Sequence, residues 1–212
     1  MIGMRHRTRI LGAALLAVLS SAIFTLNPAA AISYKVNLDT SGFSGTLAQL
    51  AFDFIDGGAP SNAVVVTGFT SDGTLGAVFT TGDVTGTLPG TVTLSDGSLF
   101  NEYLTDITLG SFLSYSLEPT GNTPESGSVP DALSLFLLDP GTGLSLIATG
   151  DPTGADSLLR VDIDGSAAGA VSVYSTLATV TSSQVPAPGT VPLAVAGLGV
   201  LLLTGMGQRR SS

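Results

Sequence analysis

The chain has no cysteine and no tryptophan, and its only histidine is His6. Without cysteine there can be no disulfide bond, no thiolate nucleophile and no cysteine-ligated zinc site. If His6 is removed on export, as predicted below, a serine nucleophile has no imidazole base, and only a Ser–Lys pair involving Lys35 would remain. Lys35 alternates with apolar residues, and we interpret it as a solvated strand residue. These absences leave carboxylates as the main reactive side chains.

Basic residues are scarce away from the two ends of the chain. Only Lys35 and Arg160 lie there, and against the 16 acidic residues they give this part a net charge of −14. Such a surface repels nucleic acid and anionic lipid headgroups, so we expect no nucleic-acid partner. The charge suits an exported domain, or one that collects cations. A domain of about 150 residues can bury a core without disulfide bonds.

Residues 1–31 have the layout of a secretory signal peptide. Three arginines precede an apolar run over residues 10–26, and Ala29 and Ala31 form a small-residue A-x-A site. We therefore predict that signal peptidase is a partner, that it cleaves after Ala31, and that His6 is removed with the peptide. The alternative is an uncleaved membrane anchor.

A second apolar run, residues 191–207, is followed by Arg209 and Arg210 in the tail 208–212. At ~1.5 Å per residue a helix of this length spans roughly 25 Å, close to the ~30 Å of a bilayer core. Arginines directly after a span stay cytoplasmic by the positive-inside rule. We predict a transmembrane helix that first anchors the protein in the inner membrane, with a basic cytoplasmic tail. The alternative is a buried core helix.

The segment 182–190 directly before this run contains the tetrapeptide V-P-A-P, formed by Val185, Pro186, Ala187 and Pro188. The order of motif, apolar span and Arg-Arg pair resembles the PEP-CTERM sorting signal of exported bacterial proteins, in which Glu usually stands at the Ala187 position. The resemblance implies processing by an exosortase, a membrane transpeptidase that cuts near such motifs. It also implies a place in the cell envelope or outside the cell, with exopolysaccharide as a candidate partner.

Residues 32–181 contain short segments in which apolar and polar residues alternate with a period of two. The first is Ile32–Asp39, and residues 144–149 and 171–181 are among about ten such segments, many bounded by Asp-Gly or Pro-Gly turns. This pattern predicts a single all-β domain, an antiparallel β-sandwich or jelly roll. A β-solenoid is the alternative, but it would show a fixed repeat, and none recurs. We interpret L-P-G-T at 88–91 as a turn.

Two sets of carboxylates could carry chemistry. Glu102, in F-N-E-Y, is the best single candidate for the carboxylate pair of a glycosidase, although we expect it to be a strand-edge or turn residue. Asp162 and Asp164, in V-D-I-D-G, are two residues apart and are predicted to share a strand face, with Asp151 and Asp156 in the preceding loop. They are the candidate Ca²⁺ ligands, although the spacing does not match D-x-D-x-D-G. No other cofactor is expected.

Two hypotheses for function remain. The first is a non-catalytic structural protein of the cell surface or extracellular matrix, associated with biofilm or exopolysaccharide. The second is a glycan-binding module or carbohydrate-active protein on a β-sandwich, stabilised by calcium if the aspartates bind it. The segments S-L-F-N-E-Y and D-P-T-G-A-D-S-L-L-R-V-D-I-D-G resemble a recurring exported domain of PEP-CTERM proteins with no assigned activity. An aromatic platform or paired carboxylates on facing strands would favour the second hypothesis, and neither is visible in the sequence.

Overall fold

The computed structural model describes residues 31–58, 61–122, 124, 128–165 and 170–185. Over these ranges the chain forms β-strands joined by turns and one 3₁₀ turn, Ser41–Phe43. No helix in this part of the chain is long and apolar enough to cross a membrane. The strands are β1 (Ala31–Asp39), β2 (Leu47–Ile55), β3 (Ala63–Ser71), β4 (Thr74–Thr81), β5 (Val84–Gly86), β6 (Val92–Ser95), β7 (Phe100–Thr108), β8 (Phe112–Pro119), β9 (Asp131–Leu138), β10 (Leu159–Ile163), β11 (Ala170–Val173) and β12 (Ala178–Val185).

The strands form two six-stranded antiparallel sheets. Sheet A has the order β12-β1-β8-β3-β6-β5, and sheet B has the order β11-β10-β9-β2-β7-β4. Much of the chain passes back and forth between the sheets, because β1, β3 and β8 belong to sheet A whereas β2, β4, β7 and β9 belong to sheet B. The predicted all-β class with antiparallel sheets is confirmed, and the arrangement is consistent with a β-sandwich.

The core lies between the inner faces of the two sheets. In β2 the inward residues Leu50, Phe52 and Phe54 are fully buried. The ring of Phe52 meets the ring of Tyr115, from sheet A, edge to face with centroids 5.2 Å apart. Burial of each such side chain contributes about 1.5–3 kcal/mol, so the paired inner faces supply the main stabilisation of a domain that has no disulfide bond. Leu88, in the predicted L-P-G-T turn, is also buried against this core.

Two predicted strands were wrong in detail. Residues 144–149 form no strand; their only ladder contact is an isolated bridge between Leu138 and Ser145. The consecutive residues Leu146 and Ile147 both pack partly against the core, so the segment does not turn alternate side chains to opposite faces as a strand does. The side chains of Ser145 and Thr149 bond to the neighbouring loop. The predicted strand 171–181 is divided between β11 and β12, in different sheets.

The two ends of the described domain lie side by side. In the antiparallel ladder of β1 and β12, Ala31 faces Val185. The last strand therefore continues past residue 181, where the sequence placed the end of the domain. The predicted targeting segments, apart from Ala31 and residues 182–185, lie outside the described residues.

Candidate functional site

A row of polar side chains crosses the outer face of sheet B at the level of Asp53. Asp53 on β2 faces Glu102 on β7 and Ser134 on β9, and Ser134 in turn faces Arg160 on β10. These four side chains share the outer face because their neighbours along each strand are buried in the core. The row brings Glu102, singled out from the sequence, next to a second carboxyl group.

A groove of about 240 Å³ lies on this face beside Asp53. Its floor is formed by β2, β9 and β10, and one wall is the loop that precedes β10. The polar lining residues are Asp53, Ser134, Asp151, Thr153 and Arg160. The groove therefore combines carboxyl, hydroxyl and guanidinium groups within one concave surface.

The apolar lining of the groove consists of Ile55, Phe136 and Ala155. Two further rings stand on the same sheet face: Phe79 on β4 is 52% exposed and Phe100 on β7 is 40% exposed. The sequence shows no aromatic platform because these phenylalanines are far apart along the chain. The sheet brings them onto the face that carries the polar row.

Asp53 is the most strongly perturbed acid of the groove. Its Oδ1 atom is inaccessible to solvent and has no hydrogen-bond partner. Burial, and then the charge of Glu102, raise the pKa of Asp53 to about 7. Burial also raises the pKa of Glu102. The free protein thus holds a carboxyl group whose negative charge is poorly compensated.

The loop wall of the groove is held by Asp151. Its Oδ1 accepts hydrogen bonds from the backbone N and Oγ1 of Thr153 (2.9 and 2.8 Å), and its Oδ2 accepts from the N and Oγ of Ser157 (3.1 and 2.6 Å). Burial alone would raise the pKa of Asp151, but these hydrogen bonds outweigh it and lower the pKa to about 2. This wall therefore keeps a fixed negative charge near neutral pH.

The predicted calcium ligands Asp162 and Asp164 have different surroundings. Arg160 Nε donates to Asp162 Oδ1 at 2.7 Å, the one ion pair found among the described residues. Strand β10 ends at Ile163, so Asp164 lies beyond the strand face that the two residues were expected to share. Asp164 instead lies near Tyr34 of sheet A, whose pKa is raised by burial and then by the charge of Asp164. A calcium site at Asp162 and Asp164 stays a prediction.

Three other aspartates, Asp56, Asp96 and Asp131, approach one another closely. One carboxylate oxygen from each lies within 4.8 Å of the other two. Asp131 is 2% exposed, and it accepts hydrogen bonds from Gly57 N (2.6 Å) and Asn62 Nδ2 (2.8 Å). Asp96 accepts from Asn62 N at 2.6 Å. Such oxygens could hold a hard cation, and the same contacts fasten the start of β9 in sheet B to the segment before β3 in sheet A.

The sequence reasoning missed both Asp53 and these three aspartates. Asp53 is a single polar residue in L-A-F-D-F-I, and nothing local indicates that its neighbour is Glu102. Asp56, Asp96 and Asp131 follow or begin three separate strands, so only the fold brings them together. The sequence has many aspartates in turns at the ends of strands. It does not show which of these turns lie close together in the folded domain.

The remaining predicted site residues concern processing. Ala31 and Val185 face each other at the end of the β1–β12 ladder. The others lie outside the described residues: Ala29, Pro186, Ala187, Pro188, Arg209 and Arg210.

Comparison with protein-family models, with curated proteins and with solved structures found no match to this chain.

Proposed function

We propose that the chain is an exported structural protein of the cell envelope or extracellular matrix, without catalytic activity, that signal peptidase and an exosortase process. In this proposal a jelly-roll-like β-sandwich lies between a signal peptide and a C-terminal transmembrane helix. The observation that carries the proposal is the pairing of Ala31 with Val185. Cleavage after Ala31 removes one residue from β1, and cleavage near Pro186 falls just past β12, so both cuts leave the two-sheet core whole.

The absence of catalysis is supported by the side chains that the chain lacks. It has no cysteine, and its one histidine, His6, lies in the proposed signal peptide. A processed protein would therefore have neither an imidazole base nor a thiolate for nucleophilic catalysis, and no His or Cys ligand for zinc.

The proposal is tested by identifying the ends of the mature protein in a strain that has an active exosortase. We expect N-terminal sequencing of the surface or released form to begin at Ile32. We expect mass spectrometry to find no peptide from residues 193–210, and to find those peptides when the exosortase is deleted. An intact Met1, or identical C-terminal peptides in both strains, would contradict the proposal, and the second result would indicate a single-pass anchor.

A second candidate function is glycan binding, and the outer face of sheet B favours it. Exposed phenylalanine rings next to a groove with hydroxyl and charged groups provide the stacking surface and the hydrogen-bonding groups that sugars use. We expect Phe136→Ala to weaken binding on a glycan array. Phe112→Ala is the control, because Phe112 is a phenylalanine on sheet A, 43% exposed, whereas Phe136 is half-buried on sheet B. Equal binding by both variants would contradict a role for this face.

A further inference from the structure

The groove beside Asp53 has an excess of negative charge. Asp53 and Asp151 line it, and Glu102 stands directly opposite Asp53. Its one basic side chain, Arg160, is already paired with Asp162 at 2.7 Å. Lys35, the other basic residue of the described part of the chain, belongs to sheet A. No cation of the described residues therefore forms an ion pair with Asp53.

No positively charged group of the described residues compensates the carboxyl group of Asp53. Its Oδ1 atom is buried and accepts no hydrogen bond, and Glu102 adds repulsion. A ligand that brings a positive charge to the part of this carboxyl group that lines the groove would offset the repulsion and favour the ionised form. A neutral ligand would not offset it, and an anionic ligand would add to it.

The other lining groups indicate what carries that charge. Phe136 and Ile55 offer an apolar surface for the face of a sugar ring, while Ser134 and Thr153 offer hydroxyl groups at its edge. The volume of the groove, about 240 Å³, suits a single sugar ring rather than an oligomer. A long flexible amine would use the charge of the groove, but it has no hydroxyl groups to bond with Ser134 and Thr153.

We propose that this groove binds an amino hexose unit with a free ammonium group, which pairs with the Asp53 carboxyl group while the ring packs on Phe136 and Ile55. The inference rests on the glycan-binding function given above as the second candidate. The ligand class is thus a glycan with unacetylated amino sugars, and its acetylated or neutral counterparts bind more weakly.

Proton linkage gives this proposal a signature that a neutral sugar would not produce. The pKa of Asp53 is raised to about 7 in the free protein, so much of the carboxyl group is protonated at pH 5. An ammonium group binds the ionised form, and binding must therefore release a proton at low pH. A carboxyl group with a pKa of about 7 is about 1% ionised at pH 5 and about half ionised at pH 7. Affinity for the amino sugar therefore rises by up to about fiftyfold between pH 5 and pH 7 while the amine stays protonated, whereas affinity for a neutral sugar does not.

The test uses the full chain, purified in a detergent that has no sugar headgroup. Titration calorimetry at about pH 7 compares an oligomer of glucosamine with the N-acetylated oligomer and with a glucose oligomer of the same length. We expect the glucosamine oligomer to bind at least tenfold more tightly. Asp53→Asn should remove this preference and its pH dependence, and Glu118→Gln, an equal charge change on sheet A, should change neither. A melting curve of each variant shows whether it is folded.

Three results would overturn the inference. The three oligomers could bind with equal affinity to the wild type and fail to bind to Phe136→Ala. This result would support glycan binding but would contradict recognition of the ammonium group. If no oligomer binds, both the inference and the proposed glycan-binding function are contradicted. Binding of a simple diamine as tightly as glucosamine would show a cation site without sugar recognition.

Discussion

Asp53 and Glu102 lie directly opposite each other on β2 and β7, on the outer face of sheet B. Like charges at directly opposed positions of an antiparallel pair are destabilising. Partial burial adds to this effect, because the charged form of a carboxyl group is disfavoured when it is removed from water. The domain therefore holds two acids at a position where uncharged residues would be more stable, and shifted carboxyl pKa values of this kind are common at functional sites.

Asp53→Asn should stabilise the domain near neutral pH. Because the pKa of Asp53 is raised from its ordinary value of 3.8 to about 7, the folded state binds its proton more tightly than the unfolded state does. Its contribution to stability is thus present below pH 4 and is lost as the pH rises to about 7. We expect the variant to gain roughly 2 kcal/mol at pH 7.5, less than the ~4 kcal/mol of a three-unit shift, because the side chain is partly solvated.

Urea unfolding at a series of pH values between pH 4 and pH 8 measures this difference. Glu118→Gln serves as the control, since it removes one negative charge from sheet A without touching the pair. Parallel stability profiles of the wild type and Asp53→Asn would show that the carboxyl group is not perturbed in the folded state.

The buried carboxylate of Asp131 should be a structural requirement. Asp131→Ala removes the acceptor of a hydrogen bond from Gly57 N and of one from the side chain of the buried Asn62. A hydrogen bond to a charged group contributes about 1.5–3 kcal/mol, so we expect a loss of roughly 3 kcal/mol in the free energy of unfolding. Glu118→Ala, at an exposed position, should cost less than about 0.5 kcal/mol. Equal unfolding curves for the two variants would contradict the role of Asp131 in joining the sheets.

The sequence predicts β1 and β2 well and β7 poorly, for a physical reason. In β1 and β2 the inward residues are mainly apolar, so the period of two is plain. In β7 the inward set includes Asn101 and Thr105, whereas Phe100 points outward. Asn101 is buried because its amide donates to Ser98 O and its Oδ1 accepts from Asp83 N, contacts that no periodicity reveals.

The candidate site was predictable only in part. Glu102 could be singled out by its aromatic neighbours, but its pairing with Asp53 depends on the register of β2 against β7. Register is set by the whole hydrophobic pattern and by the turns, and β7 was not among the predicted strands. Ala31 and Val185 show the opposite case. Both were identified by targeting motifs, and the fold places them opposite each other.

Salt should stabilise the domain, and calcium bound at Asp162 should add nothing further. The net charge of −14 between the two ends of the chain opposes folding by self-repulsion, and NaCl screens it over ~8–10 Å. We expect the melting temperature to rise with NaCl. Because Arg160 already neutralises Asp162, we expect CaCl₂ at equal ionic strength to act equally on the wild type and on Asp162→Asn.

Differential scanning calorimetry in the two salts decides between the calcium ligands. An increment in CaCl₂ that both Asp162→Asn and Asp164→Asn lose would establish the site predicted from V-D-I-D-G, and it would contradict our expectation for Asp162. An increment that only Asp131→Asn loses would assign the ion to Asp56, Asp96 and Asp131 instead.

The proposed sorting motif begins where the last strand ends. Val185 is still paired with Ala31, so in our proposal an exosortase binds the residues that directly follow a folded edge. The motif that it resembles has Glu at the position of Ala187, and Ala187→Glu should restore the charged group of the usual signal. We expect this variant to lose its C-terminal segment several times faster than the wild type in a pulse-chase experiment, and Pro188→Ala to lose it more slowly. A substitution in the span, Leu201→Ala, controls for changes in membrane insertion. If Ala187→Glu and the wild type are processed at the same rate, the exosortase does not recognise a carboxylate at position 187. The V-P-A-P sequence is then sufficient for processing.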